Sequence, residues 1–133
     1  MAISGATILE TPTGFRRYQC ADGVAISKGD LLVLIDANTA SGASLVGEAF
    51  AGIASADKVA NDGSTNIGCY TDVIADLQLT SSGVAVGSLL MLSGANLLIP
   101  ATANAILSGA VVGKALETGS AQEKIRVAVG RSI

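Results

Sequence analysis

The sequence predicts an all-β protein built as one small domain. Three observations carry this. The apolar segments are of strand length and are bounded by Gly, Asn, Asp and Ser. Several of them alternate with period two. Nothing longer than a turn combines helical period with caps.

The elements follow in order. "FRRYQC" (15–20) reads as a strand with Phe15 and Arg17 on one face and Arg16 and Tyr18 on the other. "SKGD" (27–30) is a turn. "LLVLI" (31–35) is a continuous apolar run, the mark of a strand covered on both faces, with Leu32 and Leu34 on one side and Leu31 and Val33 on the other. "ANTASGAS" (37–44) reads as a loop, and "EAFAGIAS" (48–55) as a strand. "NDGST" (61–65) is a turn of residues that tolerate positive φ. "NIGCY" (66–70) and "DVIADLQL" (72–79) are two strands; in the second, Val73, Ala75, Leu77 and Leu79 share a face. "SLLML" (88–92) and "NLLIP" (96–100) flank a hairpin-like joint. "AVVGKALE" (110–117), the turn "TGSAQ" and "KIRVAV" (124–129) follow. Residues 55–60 and 101–108 each suit one helical turn.

The chain writes one phrase twice. Gly23-Val24-Ala25 recurs as Gly83-Val84-Ala85, and Leu31-Leu32 as Leu89-Leu90. Gly52-x-Ala54 recurs as Gly113-x-Ala115, and Ile67-x-Cys69 as Ile125-x-Val127. Four matches in one order imply two similar β units, a pseudo-repeat too short for a solenoid.

Composition narrows the function. The 133 residues include 16 Gly, 22 Ala and four aromatics, so the core must be built from small side chains. Association with other copies would add burial. The net charge of -3 argues against a nucleic-acid partner. From Leu77 to Gly113, 37 residues carry no charge. Gly, Ser, Asn and Pro interrupt this run, so it does not suit a membrane span. Two readings stay open: a buried hairpin, or a surface buried against other protein, as a trimer on a larger assembly. Cys20 and Cys69 are expected to be free, packed thiols in a chain made in a cytosol.

No constellation for chemistry is present. Without His, the commonest general base and metal ligand are missing. Two cysteines 49 residues apart form no zinc pattern. "DANTASG" (36–42) departs from a calcium loop at Ala40. Asp57, Asp62, Asp72 and Asp76 read as a solvated face, and Lys28, Lys58 and Lys114 as solvated turn cations. No catalytic residue, cofactor or metal is expected.

Residues 1–20 read as an N-terminal arm, and 21–133 as the single β-rich domain. "MAISGATILETPT" (1–13) lacks a fold-forming pattern, and Pro12 and Gly14 break regular structure. Ile3, Ile8 and Leu9 offer apolar anchors. Phe15 and Tyr18 flank Arg16 and Arg17, residue types enriched at binding hot spots. The opposing reading makes 15–20 an internal edge strand.

The order "GVAISKGDLLVL", "GEAFAGIASADKVANDGSTNIG" and "VVGKALETGSAQEKIRVAV" resembles the capsid decoration (cement) proteins of tailed phages, over roughly Gly23 to Val129. That resemblance implies a β-sandwich, β-clip or β-tulip-like domain, commonly trimeric, with an arm that touches shell or neighbour. It also implies a virion location on the outer capsid surface, the major capsid protein as partner, and no catalytic residues. Two other classes compete: a small-ligand or glycan-binding β domain, which needs aromatic platforms, and an enzyme using converging carboxylates alone.

Overall fold

The computed structural model describes residues 6–10, 14–42, 49–80, 83–94, 96–108 and 110–130. Among them lie β1 (Thr7–Ile8), β2 (Gly14–Gln19), β3 (Leu31–Asp36), β4 (Thr39–Gly42), β5 (Phe50–Ala54) and β6 (Asn66–Leu79). Then come β7 (Leu89–Leu92), β8 (Leu97–Pro100), the short helix α1 (Ala103–Ser108), β9 (Gly113–Ala115) and β10 (Lys124–Val129). The domain is all-β. No helix of the described residues is long and apolar enough to cross a membrane.

The pairings close two rings on one shared strand. In the first ring, β2 pairs β4 in parallel, β4 pairs β3, β3 pairs β5, β5 pairs β6, and β6 returns to β2. In the second, β6 pairs β8 in parallel, β8 pairs β7, β7 pairs β9, β9 pairs β10, and β10 returns to β6. Closure leaves few open edges to template aggregation. The 14-residue β6 serves as last strand of the first ring and first strand of the second.

Every strand of the first ring contributes to one small core: Tyr18, Leu32, Ala40, Ala54, Ile67 and Cys69. Leu31 and Val33 turn the opposite way and join the larger core, where Leu77, Leu90, Leu98, Ala115 and Ile125 represent the five strands of the second ring. Thus β3 is covered on both faces over its first three residues, as its continuous apolar run predicts. The alternation in β6 is also as expected: Val73, Ala75, Leu77 and Leu79 are all buried.

The internal repeat is structural. Leu31↔Ile53 and Leu32↔Gly52 in the first ring correspond to Leu89↔Lys114 and Leu90↔Gly113 in the second. Tyr18 faces Ile67 as Leu77 faces Ile125. Isolated bridges Ile26↔Lys58 and Val84↔Gly119 hold the same place in each unit. The Gly29 N–H donates to the Ala54 carbonyl at 2.9 Å, and Gly87 to Ala115 at 2.8 Å. Both glycines have positive φ, 92° and 87°, which explains why each unit spells Gly there. Asn38 (φ 49°) and Asn96 (φ 60°) likewise close the β3–β4 and β7–β8 hairpins.

The structure corrects several expectations. Residues 39–42 of the expected loop are β4, because a two-residue turn at Ala37–Asn38 lets the chain pair back on β3. The two strands expected over 66–79 are one. Residues 103–108 are helical as expected, with the Thr102 hydroxyl accepting from the Ala105 N–H at 3.2 Å. Residues 55–60 are not helical, since Lys58 bridges Ile26 instead. Leu34 is 42% exposed rather than core, because β3 runs beyond the body at the hairpin end.

The arm is also corrected for the residues described. Gly14–Gln19 pairs along β6 within the first ring. Thr7–Ile8 pairs Asp76 and Ala75, with Ile8 packed on the main core. The Ala6 N–H donates to the Gly29 carbonyl at 2.7 Å. The physical reason is that β6 presents backbone groups on both edges, and these segments satisfy them.

Lys58, expected in solvent, is buried at 5% exposure. Its Nζ donates to the Asp22 carbonyl (2.7 Å), the Val59 carbonyl (3.3 Å) and Asp62 Oδ1 (3.2 Å). Three acceptors repay its desolvation and pin the 57–63 turn to the Asp22 loop. The Ser64 N–H, then Lys58, hold the Asp62 carboxyl below the usual carboxylate range. Its stabilising contribution is therefore present above the unfolded-state value and is lost as pH falls through the lowered one. Lys58→Met should cost roughly 1–3 kcal/mol in reversible denaturation, because it removes three partly buried hydrogen bonds donated by a charged group. An unchanged denaturation midpoint would show that the lysine is dispensable there.

Candidate interface

The expected contact residues separate on the structure. Ile3 lies outside the described residues. Ile8 is spent on the core of its own domain, and Leu9 is 37% exposed. Tyr18 is buried at 8% exposure inside the first ring and cannot supply contact area. Arg16 lies over it, its Cζ 5.5 Å from the ring centroid, a cation–π contact at the rim of that core.

Phe15 and Arg17 project from the other face of β2, and both are exposed. Phe15 is 56% exposed and meets Tyr70 edge-on, with ring centroids 6.0 Å apart and planes at 65°. The two are register partners on β2 and β6, and a shift in register between Gly14 and Phe15 sets the aromatic at the end of the ladder. Gly68 lies beneath Phe15, where any Cβ would collide with the ring. This gives an aromatic step, Phe15 on Tyr70, with a cation from Arg17 alongside. Such a surface suits a flat protein partner that carries acidic groups.

The pairing of Phe15 with Tyr70 was not legible in sequence, since it depends on register across 55 residues. Other exposed apolar side chains also escaped notice: Ile35 (58%), Val86 (61%) and Leu107 (86%). A signal existed for the last. Ile106 and Leu107 are consecutive on a one-turn helix, so both cannot face the sheet. Part of the uncharged 77–113 run faces inward. Leu77, Leu79, Leu90, Leu92, Leu98 and Val112 are buried in the chain's own core, which accounts for much of its lack of charge.

Both thiols are free and buried. Burial raises Cys20, and burial pushes Cys69 up to about 11, with Arg16 opposing weakly. Both shifts favour the neutral thiol, and burial shields both sulfurs from reagents. Alkylation of the native protein at pH 8 should leave both unmodified, and denaturant should expose both. Fast labelling of Cys69 in the folded state would contradict this. Among the described residues no group of three His, Cys, Asp or Glu side chains is placed to hold a metal ion.

These pairings define a class: an all-β domain of two small rings repeated in tandem on a shared strand. Among solved structures, the chain is similar to the N base of head fiber gp8.5 in bacteriophage phi29. The TM-score is 0.55 at 16% identity, over 88% of this chain and 93% of that one, a likeness that shows a common fold. No protein-family model matches the chain, and no curated protein matches it significantly.

Proposed function

We propose that this protein is a non-enzymatic component of a phage head, a decoration protein that binds the outside of the shell and bridges major capsid subunits. The observation that supports it most is the fold shared, over nearly the full length of both chains, with the base of a phage head fiber. The sequence resemblance to cement proteins points the same way. On this reading the Phe15–Tyr70 step and Arg17 are the shell contact, and copies sit on the shell as trimers. Many such contacts act together on one particle, so each can be weak in solution.

The test is co-sedimentation with intact phage heads that lack the protein. Wild type should pellet with the heads and raise their resistance to heat. The double variant Phe15→Ser/Arg17→Glu should keep its fold by circular dichroism and lose the pellet. If wild type stays in the supernatant, the reading fails. If the variant pellets like wild type, the contact lies elsewhere on the surface.

A further inference from the structure

The contact between the two repeats is one-directional. Asn96, at the tip of the β7–β8 hairpin, reaches the first unit: its Oδ1 accepts from the Leu31 N–H at 2.9 Å, and its Nδ2 donates to Asp30 Oδ1 at 3.2 Å. Leu92 from the same hairpin is fully buried in the core that holds Leu31, Val33 and Ile53. The tip of unit two therefore docks on the entrance face of unit one. Among the described residues the reverse contact is not made. In the β3–β4 hairpin, the matching tip of unit one, Asn38 is exposed, Leu34 is 42% exposed and Ile35 58% exposed.

The matching entrance face of unit two is also incompletely covered. Leu89 and Lys114 hold the places of Leu31 and Ile53 and are half-buried, where their counterparts are fully buried. The connection carrying α1 begins beside Leu89, whose carbonyl accepts from the Ala101 N–H at 2.8 Å. That connection partly caps the face and adds Ile106 (46% exposed) and Leu107 (86% exposed). Thus the chain leaves one tip uncovered, while on the matching face its own α1 connection buries Met91, Ala105 and Ala110 and leaves Leu89, Ile106 and Leu107 incompletely covered.

We propose that a second copy of this chain completes the pattern, the β3–β4 tip of one copy docking on the Leu89–Leu107 face of the next. Charge supports this pairing. The exposed Asp36 is the acid at the tip, and Lys114 is the first charge after the uncharged run that forms most of the receiving unit. The contact is heterologous, tip to face, so it generates a closed ring or an open filament, not a twofold dimer. It rests on the internal contact alone and stands whether or not the protein binds a phage head.

Complementation tests it. Ile35→Asp should block only the tip, and Leu107→Asp only the face. Sedimentation of the wild-type chain should show an oligomer larger than a dimer. Each variant alone should be a monomer with wild-type circular dichroism. An equimolar mixture retains one intact joint per pair and should form a one-to-one dimer that grows no further. If an aspartate variant fails to fold, the charge swap Asp36→Lys with Lys114→Glu supplies the same readout: each single swap should weaken assembly and the double should restore it. A wild type that stays monomeric at its highest soluble concentration overturns the proposal. So does a mixture of folded variants that stays monomeric, or variants that assemble like wild type.

Discussion

Gly113→Ala should lower the unfolding free energy by roughly 3 kcal/mol, the upper range for forcing atoms into a packed interior. β9 lies between β7 and β10, and the three atoms nearest to an added Cβ at position 113 are all backbone. The added Cβ collides with the Ala128 carbonyl oxygen and falls 2.9 Å from its carbon and 3.0 Å from Val129 Cα. No side-chain rotation relieves a backbone contact, so the sheet itself must part. The repeat supplies an internal control. Gly52 holds the same place in the first ring, but its added Cβ would meet Cys69 Sγ at 2.8 Å and the Tyr70 carbonyl at 2.9 Å. The thiol can turn, so Gly52→Ala should cost less, and Cys69→Ala in that background should recover part of the loss. Chemical denaturation of the four proteins decides it. A Gly113→Ala midpoint equal to wild type, or a Gly52 effect larger than the Gly113 effect, would mean that close backbone approach is not why each unit spells Gly-x-Ala.

That motif shows what the sequence could and could not convey. Short-range physics was legible: the period-two face of 73–79, the two-sided burial of Leu31–Val33, the turn glycines, and the order of the two repeats. The first three depend on residues within one strand or turn, and the repeat on a simple comparison of such segments along the chain. Closure of the rings was not legible, because the parallel pairings Gln19↔Thr39 and Gln78↔Leu97 rest on a few long-range bonds with no local signature. The errors share a cause. Leu34 continues an apolar run but lies beyond the point where the body covers β3. Lys58 reads as a turn cation but meets carbonyls brought in from Asp22, 36 residues away. "FRRY" reads as an arm because its partner, 66–70, lies far along the chain. Of the candidate interface, Phe15 and Arg17 were named from sequence, while Tyr70 and Gly68, which set the aromatic step, required the register of β2 on β6.

Leu92→Ala and Leu34→Ala form the sharpest test of how the two units differ. The residues are counterparts: Leu34 faces Ala40 on β4, and Leu92 faces Leu98 on β8. The substitution is the same, and so is the local hairpin. Only the tertiary setting differs, since Leu92 is fully buried in the core that also holds Leu31, Val33 and Ile53, whereas Leu34 is 42% exposed. Truncation at 92 removes apolar contact from both units at once and leaves a cavity that the rings cannot collapse without breaking pairings. The expected cost is about 2–5 kcal/mol. Truncation at 34 removes partly hydrated area and should stay within roughly 0.5–1 kcal/mol of wild type. Both must be measured at a concentration low enough that the chain is monomeric, so that any contact between copies does not enter. Equal losses at the two sites would show that the repeats are energetically equivalent, and the one-directional contact between them would then have no basis. A large loss at 34 alone would reverse the assignment of tip and face.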